Sequence, residues 1–192
     1  HAAEDGMSEE EAIVYEKKQL ATYELAYRQN MLETGREMET MAQLYLYHES
    51  PYQSSKVLGK SIEDGLSEKT RRNYDLLASG YINGKDLADA VDPLTQAATL
   101  SDDGNLYMRL ANVYLNLDEY ENAADAIDSA LNKGGLRRPD QASILQGQAY
   151  LALEKFRDAR SSFREAAKDE RSERMARNLL RYVNAEERRI KD

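Results

Sequence analysis

The sequence has no cysteine and no tryptophan, and it is poor in proline, histidine and long apolar runs. Without cysteine the chain can form no disulfide and no thiolate site, a composition compatible with either cytoplasm or periplasm. Its histidines are His1 and His48, and His48 has Glu49 beside it but no nearby second histidine, so a zinc-type site would lack ligands. No apolar run reaches the roughly 18 residues that span a bilayer. We therefore expect no metal, no cofactor and no membrane-spanning segment.

Patterns that support catalysis are missing as well. The Asp and Glu residues are spread along the chain and show no paired arrangement of the kind that general acid–base catalysis needs. No glycine-rich phosphate loop occurs, and Gly134-Gly135 is better explained as a helix stop. We predict that the chain is not an enzyme and has no catalytic residue.

The chain does contain a repeat, anchored on four tyrosines that lie 36, 33 and 36 residues apart. Small residues recur three positions before each tyrosine, and nine and sixteen positions after it. The anchors are Tyr45, Tyr81, Tyr114 and Tyr150, and the small residues are Ala42, Ala78, Ala111, Gly147, Ser54, Ala90, Ala123, Ala159, Ser61, Ala97, Ala130 and Ala166. Small side chains at fixed spacing allow helices to pack at short interaxial distance.

This pattern resembles the tetratricopeptide repeat (TPR), a helix–turn–helix unit of about 34 residues. The resemblance covers residues 36–171 and implies an all-α fold, a right-handed superhelix of antiparallel helix pairs with a C-terminal capping helix. We predict a single TPR domain over residues 1–192. It would contain a helix of a truncated preceding repeat at 8–34, repeats at 35–66, 67–102, 103–135 and 136–171, and a capping helix at 172–190. Because the chain starts at His1 with the repeat already under way, we interpret it as part of a longer protein.

Helix signals place the individual elements. Ser8 with Glu11 forms a capping-box pattern, and Gly35 and Gly134-Gly135 mark helix ends. The predicted helices span 8–33, 36–48, 51–64, 68–82, 85–99, 105–117, 119–132, 140–153, 155–168 and 172–189.

Some positions depart from the family pattern. The first repeat has Pro51 and serines where the family prefers an aromatic residue and alanines, and the fourth repeat has Gln146 where leucine is expected. Pro93 lies inside a predicted helix, where it removes one backbone hydrogen bond and should cause a kink.

The net charge of −9 is unevenly distributed. Residues 1–135 hold 12 basic and 25 acidic residues, whereas residues 136–192 hold 14 basic and 10 acidic residues. Arginines in the second segment occur at three- and four-residue spacing among acidic residues, which is typical of a solvated helix with ion pairs rather than a nucleic-acid surface. These arginines are Arg157, Arg160, Arg164, Arg171, Arg174, Arg177 and Arg181.

In proteins of this family the first helices of successive pairs line a groove that holds a partner segment. The corresponding positions here are Glu39, Gln43, Tyr47, Asp75, Ser79, Ile82, Met108, Arg109, Asn112, Asn116, Ile144, Gln148 and Leu151. This mixture of amide, aliphatic and single-arginine side chains suits an extended peptide, whose backbone amides need partners. One group of such grooves binds the C-terminal carboxylate of a chaperone through lysines and asparagines. Asn112 and Asn116 resemble those asparagines, but the matching lysines are absent, so we do not predict that ligand.

Three stretches, residues 25–65, 94–126 and 131–163, are similar to the C-terminal part of TPR proteins of marine gammaproteobacteria encoded beside a TonB, ExbB and ExbD system. The resemblance implies a periplasmic adaptor for TonB-dependent uptake of iron carriers. Two alternatives remain open: an adaptor for another envelope assembly, such as secretion or cell-wall machinery, and a regulatory fragment of a larger enzyme. The oligomeric state, and whether the groove or the convex face binds, also remain open.

Overall fold

The computed structural model describes residues 8–191, which form ten α-helices and no β-strand. The helices are α1 (Glu9–Arg28), α2 (Gly35–Tyr47), α3 (Pro51–Glu63), α4 (Arg71–Gly84), α5 (Leu87–Thr99), α6 (Asn105–Asn116), α7 (Tyr120–Lys133), α8 (Pro139–Ala152), α9 (Phe156–Ala166) and α10 (Glu170–Lys191). The predicted all-α class is confirmed. The capping box at Ser8 is also present, since its side chain accepts from the backbone of Glu11 and the Glu11 carboxylate accepts in return.

Two helix ends differ from the prediction by three residues or more because of local capping, and the other ends of the described helices differ by at most two residues. The first helix ends at Arg28 rather than at residue 33, and Asn30 follows it with a φ of 54°. Thr34 then caps α2. Helix α4 begins at Arg71 rather than at residue 68, because Thr70 Oγ1 accepts a 3.2 Å hydrogen bond from the Asn73 backbone N–H and so fixes the N-cap.

The chain divides into two compact units, His1–Pro93 and Leu94–Asp192, which we call the N-terminal and C-terminal units. The division falls within α5, whose span includes Pro93. The assignment of the whole chain to one domain, with the repeat bounds given above, remains a prediction.

In the N-terminal unit α2 packs against α1, α3 and α4, and α3 packs against α4. One cluster joins Met41, Tyr45 and Val57 to Tyr23 and Tyr27 of α1. A second cluster contains Ala42, Leu58, Ile62 and Leu77. Both clusters include buried residues of α2, the helix that also carries the predicted partner-binding residues Glu39, Gln43 and Tyr47.

In the C-terminal unit consecutive helices from α6 to α10 pack on one another, and α8 also contacts α10. The core at its C-terminal end contains Ile144, Phe163, Ala176 and Val183, with Leu179 packed against it. The inner face of α10 therefore covers the last helix pair, as expected of a capping helix.

All twelve small positions of the repeat are buried. The tightest is Gly147, where an added Cβ would lie 2.4 Å from Cε1 of Phe163. Phe163 itself is fully buried, so the large ring of α9 fits because α8 has no side chain at that point.

The serine and glutamine departures from the family pattern are compensated by hydrogen bonds. Ser54 Oγ donates to the Ala42 carbonyl oxygen at 2.8 Å, and Ser61 Oγ lies 2.8 Å from Ser67 Oγ. In the fourth repeat Ser162 Oγ donates to Gln146 Oε1 at 2.9 Å. Because the side chains of Ser54, Ser61 and Gln146 each have a partner, these substitutions avoid the desolvation penalty that an unpaired group would incur.

Candidate partner-binding site

On α2 the predicted groove residues differ in exposure. Gln43 is exposed and the side chain of Tyr47 is 64% exposed. Glu39 is half-buried, and its Oε1 accepts a 2.7 Å hydrogen bond from Nδ2 of Asn73 on α4. Glu39 thus connects two helices, while Gln43 and Tyr47 are open to a partner.

Asn73 was not among the residues predicted from sequence. It is 3% exposed, and its side-chain amide also donates to the Glu68 carbonyl oxygen at 2.9 Å. The sequence signal that could have identified Asn73 is its position three residues after Thr70, the residue that caps α4. Beside it lies a depression of about 440 Å³ lined by Gly35, Arg36, Glu39, Leu66, Glu68, Thr70, Arg72 and Asn73.

Tyr47 has neighbours although it is exposed. A hydrogen bond to the Glu16 carboxylate raises the pKa of the Tyr47 hydroxyl, because ionisation would place two negative charges together. The Tyr47 ring also meets the ring of His48 edge to face, with centroids 5.2 Å apart. His48 is the C-cap of α2, the helix-end position that its sequence context indicates.

On α4 the predicted residues Asp75, Ser79 and Ile82 are all half-buried. Ser79 Oγ donates to the Asp75 carbonyl oxygen at 2.7 Å, a bond within the helix. Helix α4 therefore exposes less polar side-chain surface to a partner than α2 does.

On α6 of the C-terminal unit, Met108 and Arg109 are half-buried, whereas Asn112 and Asn116 are exposed. Asn116 Nδ2 donates to the Asn112 carbonyl oxygen at 2.6 Å. This bond uses one donor of Asn116 and does not use its Oδ1 acceptor.

On α8 Gln148 is exposed and Leu151 is half-buried against the core. Ile144 differs from the expectation that it lines an open groove, because it is 6% exposed and belongs to the cluster around Phe163 and Val183. Helix α10 completes that cluster, so Ile144 is core rather than surface.

The exposed surface of α6 and α8 carries little charge. In a chain with 32% charged residues, the one charged residue of α6 is Arg109 and that of α8 is Asp140, which is 5% exposed. The exposed residues of these helices are Asn105, Asn112, Asn116, Pro139, Gln141, Gln148 and Ala152. We call Asn112, Asn116 and Gln148 the amide face. The second helices differ, since α7 exposes Glu121, Asp125 and Asp128 and α9 exposes Arg157, Asp158, Arg164 and Glu165.

The buried carboxylate of Asp140 belongs to a structural network. It accepts hydrogen bonds from Arg138 Nε at 2.9 Å, from the Arg138 guanidinium at 2.5 Å and from Ser172 Oγ at 2.6 Å, and Arg171 lies 3.5 Å away. The Arg138 hydrogen bond is the main cause that holds the pKa of Asp140 far below its usual value. The network joins the first turn of α8 to the start of α10.

Within residues 8–191 no group of three or more His, Cys, Asp or Glu side chains is arranged to hold a metal ion. None of the described helices is both long and apolar enough to cross a membrane.

Solved structures with the same arrangement of helices are TPR proteins. The chain superposes on MamA with a TM-score of 0.64 at 18% identity, over 86% of this chain and 88% of that chain. On YrrB, a TPR protein with an unusual peptide-binding site, it superposes with a TM-score of 0.62 at 16% identity, over 86% of this chain and 84% of that chain. On the first TPR of Spaghetti (RPAP3), bound to the HSP90 peptide SRMEEVD, it superposes with a TM-score of 0.50 at 20% identity, over 60% of this chain and 91% of that chain.

No protein-family model matches the chain, and no curated protein does so either. At these identities the structural likeness establishes the fold. The chain has the helical-repeat fold of TPR proteins, as the spacing of its small and aromatic residues predicts.

Proposed function

We propose that this chain is a non-enzymatic scaffold that binds a protein partner, and that in its C-terminal unit an extended segment of the partner lies along the amide face. The observation that carries this proposal is the lack of exposed charge on α6 and α8, where the exposed polar side chains are amides. YrrB, which shares the fold, has a peptide-binding site, and the RPAP3 repeat is bound to a peptide. Both support the choice of ligand class.

The chemistry of the amide face suits an extended backbone. Asn and Gln side chains both donate and accept hydrogen bonds, so they can satisfy the N–H and C=O groups of a segment that has no secondary structure of its own. The half-buried Met108 and Leu151 add apolar contact surface next to these amides. In the N-terminal unit, Gln43 and Tyr47 form the corresponding exposed surface, and Glu39, Asp75, Ser79 and Ile82 border it.

The test is a crosslinked pull-down with the full-length protein and the variant Asn112→Ala, Asn116→Ala, Gln148→Ala. The matched control replaces two exposed amides of α7, Asn122→Ala and Asn132→Ala. We expect the control to retain the captured proteins and the amide-face variant to lose most of them. Equal capture by parent and amide-face variant would contradict the proposal.

The finer hypothesis is that the partner belongs to the TonB, ExbB and ExbD complex and that the protein works in the periplasm. It is supported by the resemblance of residues 25–65, 94–126 and 131–163 to TPR proteins encoded beside that system. The pull-down is therefore made from the envelope of iron-starved cells, and we expect it to recover subunits of the complex. Fractionation of the full-length protein with the cytoplasm would rule out this assignment and leave the scaffold proposal in place.

A further inference from the structure

The outer face of α10 carries a line of arginines that is not part of the proposed partner-binding surface on α6 and α8. Arg174, Arg181 and Arg188 are exposed and lie seven residues apart. Seven residues make almost two helical turns and rise about 10.5 Å, so the three guanidinium groups lie nearly on one line along the helix.

These arginines lack acidic partners within the described part of the chain. Arg181 donates to the Asn178 side chain at 2.5 Å, which leaves its charge unneutralised. Neighbouring arginines differ: Arg177 is paired with Glu173 at 2.6 Å and Arg160 with Glu187 at 2.5 Å. The expectation of a helix laced with ion pairs therefore holds only in part: among the described residues Arg174, Arg181 and Arg188 have no acidic partner, and Arg157 and Arg164 of α9 have none either.

An apolar line runs beside the arginines. Met175 is 58% exposed and Tyr182 is 54% exposed, and they too lie seven residues apart. On the other side, Leu180 lines a shallow depression of about 470 Å³ together with Arg174, Arg177, Asn178 and Arg181. Exposed apolar residues flanked by charges at heptad spacing are the arrangement by which one helix receives another.

We propose that this face of α10, made of Arg174, Arg181 and Arg188 with Met175 and Tyr182, binds an acidic amphipathic helix of a partner protein. Leucine-like side chains of that helix would pack on Met175 and Tyr182. Carboxylates at heptad spacing would pair with the arginines, whose planar guanidinium suits bidentate contact with a carboxylate.

A second copy of α10 is a poor occupant. In an antiparallel pair the arginine line would face its own copy, and like charges repel. In a parallel pair Arg181 would meet Glu186, which already pairs with Arg189 of its own helix. A large polyanion is also disfavoured, because the C-terminal unit that contains α10 carries 17 acidic against 16 basic residues, so its surface as a whole is not basic.

The probe for the test is a synthetic, fluorescently labelled peptide of about three heptads, with leucine at the a and d positions and glutamate at e and g. Self-repulsion between its glutamates keeps this peptide from pairing with itself. Binding to the full chain is followed by anisotropy, and the gain in helix by circular dichroism. A scrambled peptide of the same composition tests whether heptad spacing matters.

We expect the probe to bind the parent. It should bind the variant Arg174→Glu, Arg181→Glu, Arg188→Glu about 30-fold more weakly. The matched control, Arg137→Glu, Arg157→Glu, Arg164→Glu, changes three exposed arginines of the same unit and should bind as the parent does to within about threefold. Met175→Ser with Tyr182→Ser should weaken binding about tenfold, because the apolar contact is lost. If charge reversal perturbs the fold, Arg→Gln replacements at the same three positions serve instead.

Three results would overturn the proposal: no binding of the probe, equal binding of the scrambled peptide, or equal loss in the control variant. Tighter binding of duplex DNA or of phosphatidylglycerol vesicles than of the probe, lost in the same α10 variant, would assign the face to a polyanion and also overturn it. The amide-face variant should bind the probe normally, so failure here is distinguishable from failure of the proposed scaffold function.

Discussion

At the scale of single residues, the repeat depends on pairs of contacting positions in which a small residue on one helix makes room for a large side chain on the next. The sequence identified the small positions because they recur at fixed spacing. It could not show that Gly147 is paired with Phe163, since that pairing depends on the distance between α8 and α9. Similarly, Gln146 departs from the family pattern, and the hydrogen bond from Ser162 explains it.

We predict that Gly147→Ala destabilises the chain, although alanine is the better helix former. The new Cβ would lie 2.4 Å from the buried ring of Phe163, and overpacking of this kind costs about 1–3 kcal/mol. Urea unfolding of the full chain measures the change, and adding Phe163→Leu should recover part of the loss. The control is Gly59→Ala in α3, whose Cβ would meet Leu77 at 3.7 Å and which should be neutral or slightly stabilising.

The carboxylate of Asp140 provides a second residue-scale prediction. Replacing it with asparagine leaves Arg138 and Ser172 without their charged acceptor, and we expect a loss of about 1–3 kcal/mol near neutral pH. Because the pKa of Asp140 is lowered in the folded chain, its contribution is present above the unfolded value of about 4 and is lost as pH falls below it.

The free energies of unfolding of parent and Asp140→Asn should therefore begin to converge as the pH falls below about 5, and should go on converging until the pH has passed through the lowered folded pKa of Asp140. Urea unfolding at several pH values measures the difference. Asp102→Asn, at an exposed loop position, is the matched control and should change little at any pH. A difference that stays constant down to low pH would show that Asp140 acts through packing and not through its charge.

At the scale of helices, the sequence predicted the existence and order of all ten elements but not every end. Periodicity locates the middle of a helix, whereas its end depends on which side chain reaches the free backbone N–H groups. Helix α4 starts later than predicted because Thr70 accepts a hydrogen bond from the Asn73 backbone N–H. The surface positions of α8 were also only partly predictable, because α10 buries Ile144 and a spacing rule for the groove does not include a covering helix.

The anchor tyrosines of the four helix pairs lead to a prediction at this scale. Burial is the first cause that raises the pKa of Tyr45, Tyr81, Tyr114 and Tyr150, and for Tyr45 the pKa rises to about 12. Since these folded values lie above the unfolded value of about 10, the tyrosines stabilise the fold below that pH. This contribution is lost as the pH rises from about 10 toward 12.

We expect the free energy of unfolding to fall over this alkaline range, and to fall less steeply in Tyr45→Phe, which has no group to ionise there. Urea unfolding at successive pH values gives the slopes, and tyrosinate absorbance reports ionisation. Tyr52, which is 61% exposed, supplies the control Tyr52→Phe. An equal slope in parent and Tyr45→Phe would mean that the buried anchor does not couple folding to proton binding.

At the scale of the whole molecule, the chain separates neutral from charged surfaces. The sequence showed the asymmetry of charge between residues 1–135 and 136–192, but helix packing was needed to show which faces carry it. Within the C-terminal unit α6 and α8 expose amides, α7 exposes acidic side chains, α9 exposes charges of both signs, and α10 exposes a line of unneutralised arginines. We therefore infer that one chain can hold two partner segments of opposite chemistry.

The two surfaces should respond differently to salt. A segment held by the amide face makes few charged contacts, so its recovery in the pull-down should change by less than about twofold between roughly 50 and 300 mM salt. The acidic probe on α10 depends on exposed ion pairs, and its affinity should fall by about tenfold over the same range, because screening weakens such pairs. Both are measured on the full chain, with the amide-face variant and the α10 variant as reciprocal controls. A strong salt dependence at the amide face would indicate that Arg109 carries the binding there and that the partner segment is acidic.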